Sequence, residues 1–338
     1  MKTAFLLINV GTPDSYQVKD VQKYLSEFLK DPEIIRLPWV FRKILVDGII
    51  VPQRSPQSAL AYEKIWTKSG SPLLALSQEM ISGLNLEMRD SSKCFLAMRY
   101  GNPSISNTLM EIHQQGFNKL VLVPLYPQYA RATTGSSVNK VYSELKKLNI
   151  KFSEITIVPS FYNEKFFLDH IVHRVQGLDF KFDHVLLSYH GLPASHIYTE
   201  SGCQKSHSCC LRGPEEISHC YRAQCLQTTI ALQNRLGLNS TNSSMSFQSR
   251  LGRAEWLGPY SSQILAELPH RGVKKLLVIC PAFVTDCLET LEEISVEGKE
   301  IFLENGGTDY YTLPCHNADP EWIQGLATHL NTFVVNSQ

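Results

Sequence analysis

The sequence carries no net charge: 32 Lys and Arg balance 32 Asp and Glu over 338 residues. Without a basic field nothing draws in a polyphosphate backbone, so nucleic acid is excluded as a partner. No apolar run approaches the ~20 residues a membrane-spanning helix needs. The apolar stretch in MKTAFLLINVGTPDS is short and lacks a small-residue cleavage site, so it reads as a buried strand ending in a Gly-Thr-Pro turn, not as a secretory signal. The chain is expected to be soluble and cytoplasmic. Absent too are a G-x-G-x-x-G after any strand and a G-x-x-x-x-G-K-[ST], which argues against nucleotide phosphates as the ligand.

What is present is enough apolar material, 43% of residues, for two cores in a chain long enough for two domains. Strand-like runs at Thr3–Val10, Cys94–Met98 and Lys119–Pro124, then Thr156–Val158, Val185–Tyr189, Met245–Gln248 and Leu276–Cys280, alternate with helical patterns. The helices are placed at Val18–Leu29, Leu73–Arg89, Ile105–Gln115, Val138–Leu148 and Phe166–Gln176. Continuous apolar strands imply sheets covered on both faces, hence parallel strands and an α/β fold. GFNKLVLVP (116–124) and GVKKLLVICP (272–281) echo one another, as two similar halves would. The expected boundary lies near residue 150, giving domains 1–150 and 151–314 that face each other across a cleft, with the last helix (315–338) packed back on the first. NSTNSSMS (239–246) reads as a surface loop.

His190, in SYHGLP, follows an apolar run and precedes a glycine, so it stands where a strand ends and turns. Ligand sites of α/β folds form there, and imidazole binds divalent metals or accepts protons near neutral pH. In FVTDCLETLEEISVEG (283–298), Glu289, Glu293 and Glu297 are four residues apart and would line one face of an α-helix, in steps of about 6 Å. A solvated helix face explains such a row equally well; facing a cleft, it would pass protons or hydrated metal. Histidine with carboxylate and without thiolate suits a transiently held cation such as Fe²⁺. Tyr100, Tyr126, Tyr129 and Trp256 follow strand-like segments and could wall a flat apolar ring, with Arg54, Arg99 and Arg131 available for its acidic groups.

These segments together resemble ferrochelatases over nearly the whole chain. LLINVGTPDS, YEKIWTKSGSPL, MRYGNPSI, PLYPQYARATTGSS, SYHGLP, FQSRLGRAEWLGPYS and TDCLETLEEI occur in the family's order. The resemblance implies two Rossmann-like domains with parallel four-stranded sheets, and insertion of Fe²⁺ into protoporphyrin IX. It implies that His190 is the active-site histidine, as metal ligand or as proton acceptor, and that Glu289 opposes it. Glu293 and Glu297 match an acidic path, Asp286 a carboxylate near its start. Arg99 and Tyr100 match pocket residues, Trp256 a porphyrin-side tryptophan, and Tyr126 and Tyr129 a tyrosine-bearing loop. The chain departs from the pattern at Cys287, where many relatives carry histidine, and at Val10, where some carry methionine or tyrosine. A chelatase for another metal or for coproporphyrin would share these residues, as would a non-catalytic carrier of tetrapyrrole or iron.

Five of nine cysteines crowd into 203–225: Cys203, Cys209, Cys210, Cys220 and Cys225. Without a secretory signal such a cluster points to metal or redox chemistry. Their spacing lacks the paired C-x2-C of zinc sites, and some ferrochelatases carry iron–sulfur, so four of the five are expected to hold a 2Fe–2S cluster rather than zinc. LPWVFRKILVDGIIVP (37–52), apolar with Arg42 and Lys43, resembles the lip over the porphyrin pocket, a point of peripheral contact with the inner membrane; an ordinary buried helix-loop is the alternative.

Overall fold

The computed structural model describes residues 2–198, 203, 207–250, 252 and 254–335. The chain separates into two compact units: 1–125, 131–159 and 318–338 in one, 126–130 and 160–317 in the other. Each contains a four-stranded, all-parallel sheet.

In the first unit, strands β1 (Thr3–Thr12), β2 (Ser92–Gly101), β3 (Lys119–Pro124) and β4 (Glu154–Ile157) lie in the order β2-β1-β3-β4. Ala4 to Ile8 and Leu120 to Val123 are fully buried. Such unbroken burial needs cover on both faces. On one face Ala4, Leu6 and Ile8 pack with Ile105, Leu109 and Ile112, which share one side of the Ile105–Gln114 helix. The Pro72–Glu87 helix packs with Pro320–Val335, where the Trp322 indole N–H meets Met80 Sδ at 3.4 Å.

The second unit repeats the plan. Strands β5 (His184–His190), β6 (Ser243–Gln248), β7 (Lys275–Ile279) and β8 (Asp309–Thr312) run in the order β6-β5-β7-β8. β3 and β7, the two echoing segments, hold the same place in their sheets. Leu186, Leu276 and Val278 pack with Leu265, Leu268 and Phe302.

Three expectations need correction. Residues 243–246 are not loop but the start of β6, because hydrogen bonds let serines lie inside. Ser246 Oγ is 2.8 Å from Ser261 Oγ, and Ser243 Oγ donates to Asn239 O at 2.7 Å. The helix foreseen over 283–298 begins regularly only at Glu289, and Glu289–Gly298 is π-helical. Thirdly, the alternative of a buried helix-loop for 37–52 gives way to helix from Trp39 onward, with only Arg42, Val46 and Val51 buried. Trp39–Leu45 is α-helical, Val46–Ile50 is π-helical, and an α-helix continues through Val51–Ile65. Trp39, Phe41 and Ile44 are each more than 60% exposed, whereas Arg42 turns inward and donates to Ile35 O (3.2 Å) and Leu37 O (2.8 Å). Among the described residues, no helix is long and apolar enough to cross a membrane.

Candidate active site

β5 lies between β6 and β7, where the strand order reverses; open α/β sheets bind ligands beyond the carboxyl ends of strands at such a point. His190 is the last residue of β5. Its Nδ1 is 2.6 Å from Gly191 O. A carbonyl only accepts, so Nδ1 carries a proton, and Nε2 is left as the ring nitrogen that can take or give one. The Tyr221 hydroxyl donates to His190 O at 2.8 Å, and Gly191 N donates to Gln248 O at 2.7 Å. A Cβ on Gly191 would stand 2.6 Å from that oxygen and 3.2 Å from Trp256 Cε3, so any side chain here would force the turn to shift. Trp256 is held there by a bridge to Pro193 and by Leu257 N donating to Leu192 O at 2.9 Å.

Glu289 and Glu293 are half-buried and Glu297 is exposed. With i→i+5 hydrogen bonds a turn holds more than four residues, so acids four apart fall just short of one turn and still line one side. Ser249 grips Glu293 twice, its N donating to Oε1 at 2.6 Å and its Oγ to Oε2. Ser249 achieves this at φ +65°, a left-handed conformation unusual for serine. Burial raises the Glu293 pKa above the ordinary carboxyl range; the Ser249 bonds and the His190 charge pull it back, and Glu289 pushes it up. His190, Glu289 and Glu293 are thus electrostatic neighbours within one unit. Burial, then the Glu289 carboxylate, pushes the Cys287 thiol well above its usual pKa. It stays protonated as a donor beside Glu289. Asp286 is buried and accepts from Asn317 Nδ2 (2.7 Å), Thr290 Oγ1 (2.9 Å) and Cys315 N (3.2 Å), which makes it a buttress of the helix start.

The tyrosine-bearing loop, 126–130, groups with this unit. Gln128 is buried and donates to Thr228 Oγ1 (3.1 Å) and Pro281 O (3.2 Å). Tyr129 N donates to Gln224 Oε1 at 2.7 Å, and its ring meets His219 edge-on at 4.9 Å; Tyr126 is half-buried.

Cys209, Cys210, Cys220 and Cys225 are buried. Cys203 Sγ lies 3.8 Å from Cys209 Sγ. Burial pushes the Cys210 thiol up to about 12, with Cys209 and Cys220 adding to the rise, and Cys225 feels Cys220 and Cys210. The thiols therefore share one locality, and none is in a disulfide. Among the described residues no three His, Cys, Asp or Glu side chains stand as a ready metal site. Residues 201, 202 and 204–206, inside this segment, lie outside the described set.

In the other unit, Arg99, near the end of β2, is paired with Asp31 and donates from Nε to Ser136 Oγ at 2.7 Å. Tyr100 OH (2.8 Å) and Ser136 Oγ (2.5 Å) also donate to Asp31. A buried carboxylate thus holds the charge of Arg99. Arg131 pairs with Glu33 at 2.7 Å, and Arg54 is exposed. Gly11 closes the end of β1: at φ +106° a Cβ would overlap Tyr100 O. Sequence reasoning missed Asp31, Tyr221, Gln248 and Ser249. Gln248 and Ser249 fall within FQSRLGRAEWLGPYS and the other two in no quoted stretch, but only the residues they bind give them meaning.

The family profile described as Ferrochelatase matches residues 2–332. A ferrochelatase of Bdellovibrio bacteriovorus is 43% identical over 328 residues, 96% of this chain and 98% of that protein. One of Pseudomonas syringae pv. syringae is 44% identical over 329 residues, 96% of each chain. Among solved structures, the sirohydrochlorin chelatase SirB of Bacillus subtilis subspecies spizizenii, in complex with cobalt, superposes with a TM-score of 0.57 at 11% identity, covering 100% of this chain and 97% of that one; it shares the fold. A match that spans both sheets at this level of identity leaves one assignment: the chain belongs to the ferrochelatase family.

Proposed function

We infer that this chain inserts Fe²⁺ into protoporphyrin IX to give protohaem, as a metal-chelating lyase. The observation that carries the reading is the meeting of His190, Glu289 and Glu293 at the switch-point end of β5, in a chain of this family. The reaction must strip water from iron, aim pyrrole nitrogens at it and remove two N–H protons. His190 is suited to the proton removal, since Gly191 O fixes its tautomer and leaves Nε2 to take a proton or hold the metal. Glu293 can carry a proton nearer neutrality than an exposed carboxylate, and the series Glu289, Glu293, Glu297 runs from half-buried to exposed, a route for protons out or hydrated iron in. Trp256, Tyr126 and Tyr129 offer aromatic surface to the macrocycle. Asp286 supports the start of the acidic helix; in the other unit Arg99 and Tyr100, which match the family's pocket residues, are held by Asp31. Bending the ring aims its lone pairs at iron, and a flat product then fits less well and leaves.

The deciding test is anaerobic insertion of Fe²⁺ by pure protein with protoporphyrin or coproporphyrin. His190→Ala should lower the rate by at least about 100-fold while porphyrin-binding fluorescence is retained. Insertion at the normal rate removes His190 from the mechanism; binding without turnover by the parent protein identifies a carrier instead.

Two finer readings accompany this one. Four of Cys203, Cys209, Cys210, Cys220 and Cys225 are proposed to hold a 2Fe–2S cluster; soft thiols gathered in an apolar setting fit that ligand set. Bound, the cluster would supply a one-electron centre. Protein purified without oxygen should be reddish-brown and bleach with dithionite; colourless or zinc-bearing protein overturns this. The exposed apolar surface of 37–52 supports peripheral attachment of a cytoplasmic protein to the inner membrane, where a hydrophobic porphyrin is at hand.

A further inference from the structure

We propose that Gln248 is a positioning residue that fixes Glu289 relative to His190. Gln248 ends β6 opposite His190 in the parallel ladder and is buried. Its main-chain oxygen takes the Gly191 N–H, which anchors the turn after His190. Its Nε2 donates to the main-chain oxygen of Glu289 at 2.9 Å. Its Oε1 accepts from Ser188 Oγ at 2.6 Å, and Ser188 Oγ is in turn 2.8 Å from Ser261 Oγ. One amide therefore touches the histidine strand and the glutamate helix, and the serine hydroxyl sets which way it faces.

The residue type follows from this geometry. Position 248 needs a donor for a carbonyl and an acceptor for a hydroxyl on one planar group, at the reach of two methylenes. Glutamate would present an acceptor to the Glu289 carbonyl, and leucine neither function. The bond also explains where the π-helix starts. Glu289 is its first residue, and a side chain drawing that carbonyl sideways favours the wider i→i+5 ring over the α-helical one. Ser249, the next residue, then meets Glu293. Two consecutive residues at a strand end thus set both acids against the imidazole.

The proposal rests on the iron-insertion reading and is tested with steady-state kinetics. Gln248→Leu should lower kcat about 10- to 100-fold, the range for supports of metal-site residues, with KM for porphyrin unchanged. In a Glu289→Gln background the same substitution should cost less than about twofold, because the group it positions is gone. A purely structural role would give additive losses instead. If the leucine variant does not fold, Gln248→Glu, of equal size, takes its place with the same expectations. Unchanged kcat in the single variant, or full additivity in the double, overturns the assignment. Parent protein and His190→Ala run alongside. An inactive parent defeats the iron-insertion reading, whereas an active parent with an equally active Gln248 variant defeats this inference alone.

Discussion

Adding one methyl group at Gly191 tests how tightly the turn holds His190. Gly191 does not adopt positive φ, so alanine is conformationally acceptable and the effect is purely steric. The new Cβ would stand 2.6 Å from Gln248 O, against 3.4 Å for an ordinary contact, so the turn must retreat by roughly 0.8 Å. The obstacle is backbone on one side and an indole ring at 3.2 Å on the other, and neither swings away as a flexible side chain would. Overpacking of this kind costs about 1–3 kcal/mol. For a unit of this size that corresponds to a fall of about 2–4 °C in melting temperature per kcal/mol. The rate should suffer more, since displacing a catalytic group by about 1 Å costs on the order of 100-fold. Gly191→Ala should therefore remain folded at assay temperature, bind porphyrin, and insert iron some 30- to 100-fold more slowly, the range that displacement implies. Continuous haem formation, porphyrin fluorescence titration and calorimetric melting measure the three quantities. A variant with the parent rate, whatever its melting temperature, would refute the claim that this turn sets His190.

Other outcomes can be stated briefly. Asp31→Asn strands the Arg99 guanidinium and should cost about 3–5 kcal/mol in urea unfolding, while Asp31→Leu with Arg99→Met should cost less than the single change; a single-variant loss below about 1 kcal/mol would contradict the buried pair. Burial gives folded Glu293 a higher pKa than the unfolded chain, so its contribution to stability is full below 4.5 and is lost as pH climbs through the raised value. Glu293→Gln should accordingly gain stability relative to the parent on going from about pH 4 to about pH 8, and parallel stability curves would show that Glu293 is not the group responsible. Trp39→Ser with Phe41→Ser should weaken partition onto anionic vesicles by about tenfold or more, while leaving turnover of a solubilised porphyrin intact; unchanged sedimentation with vesicles counts against the membrane reading.

The strand ends were legible in the sequence where a core strand is an apolar run that stops at a polar or turn residue: Val185 to Leu187 just ahead of Ser188 and His190, Leu120 to Val123 before Pro124. β6 was harder. Its serines carry the polarity of a loop; Ser243 and Ser246 are buried because Ser243 Oγ donates to Asn239 O and accepts from Gln233 Nε2, while Ser246 Oγ pairs with Ser261 Oγ. The acidic row was legible as spacing, but its helix type was not. A π-helix and an α-helix bring the same acids to one side, so the spacing does not tell them apart; the carbonyl at the start of the π-helix is held by Gln248, 41 positions away. Arg42 and Arg99 show the same limit. As sequence the first is a cation of the apolar lip and the second a cation available to a ligand; in the fold one serves main-chain carbonyls and the other pairs with Asp31.

The π-helical stretch also makes this locus sensitive to chain length. Its rings are one residue wider than the backbone would choose unaided. Deleting a single position between Glu289 and Glu293 would let the segment relax into the commoner α-helix, and would carry the second acid away from Ser249. Substitutions there can be absorbed one at a time, but a one-codon loss would yield a better helix and a poorer catalyst.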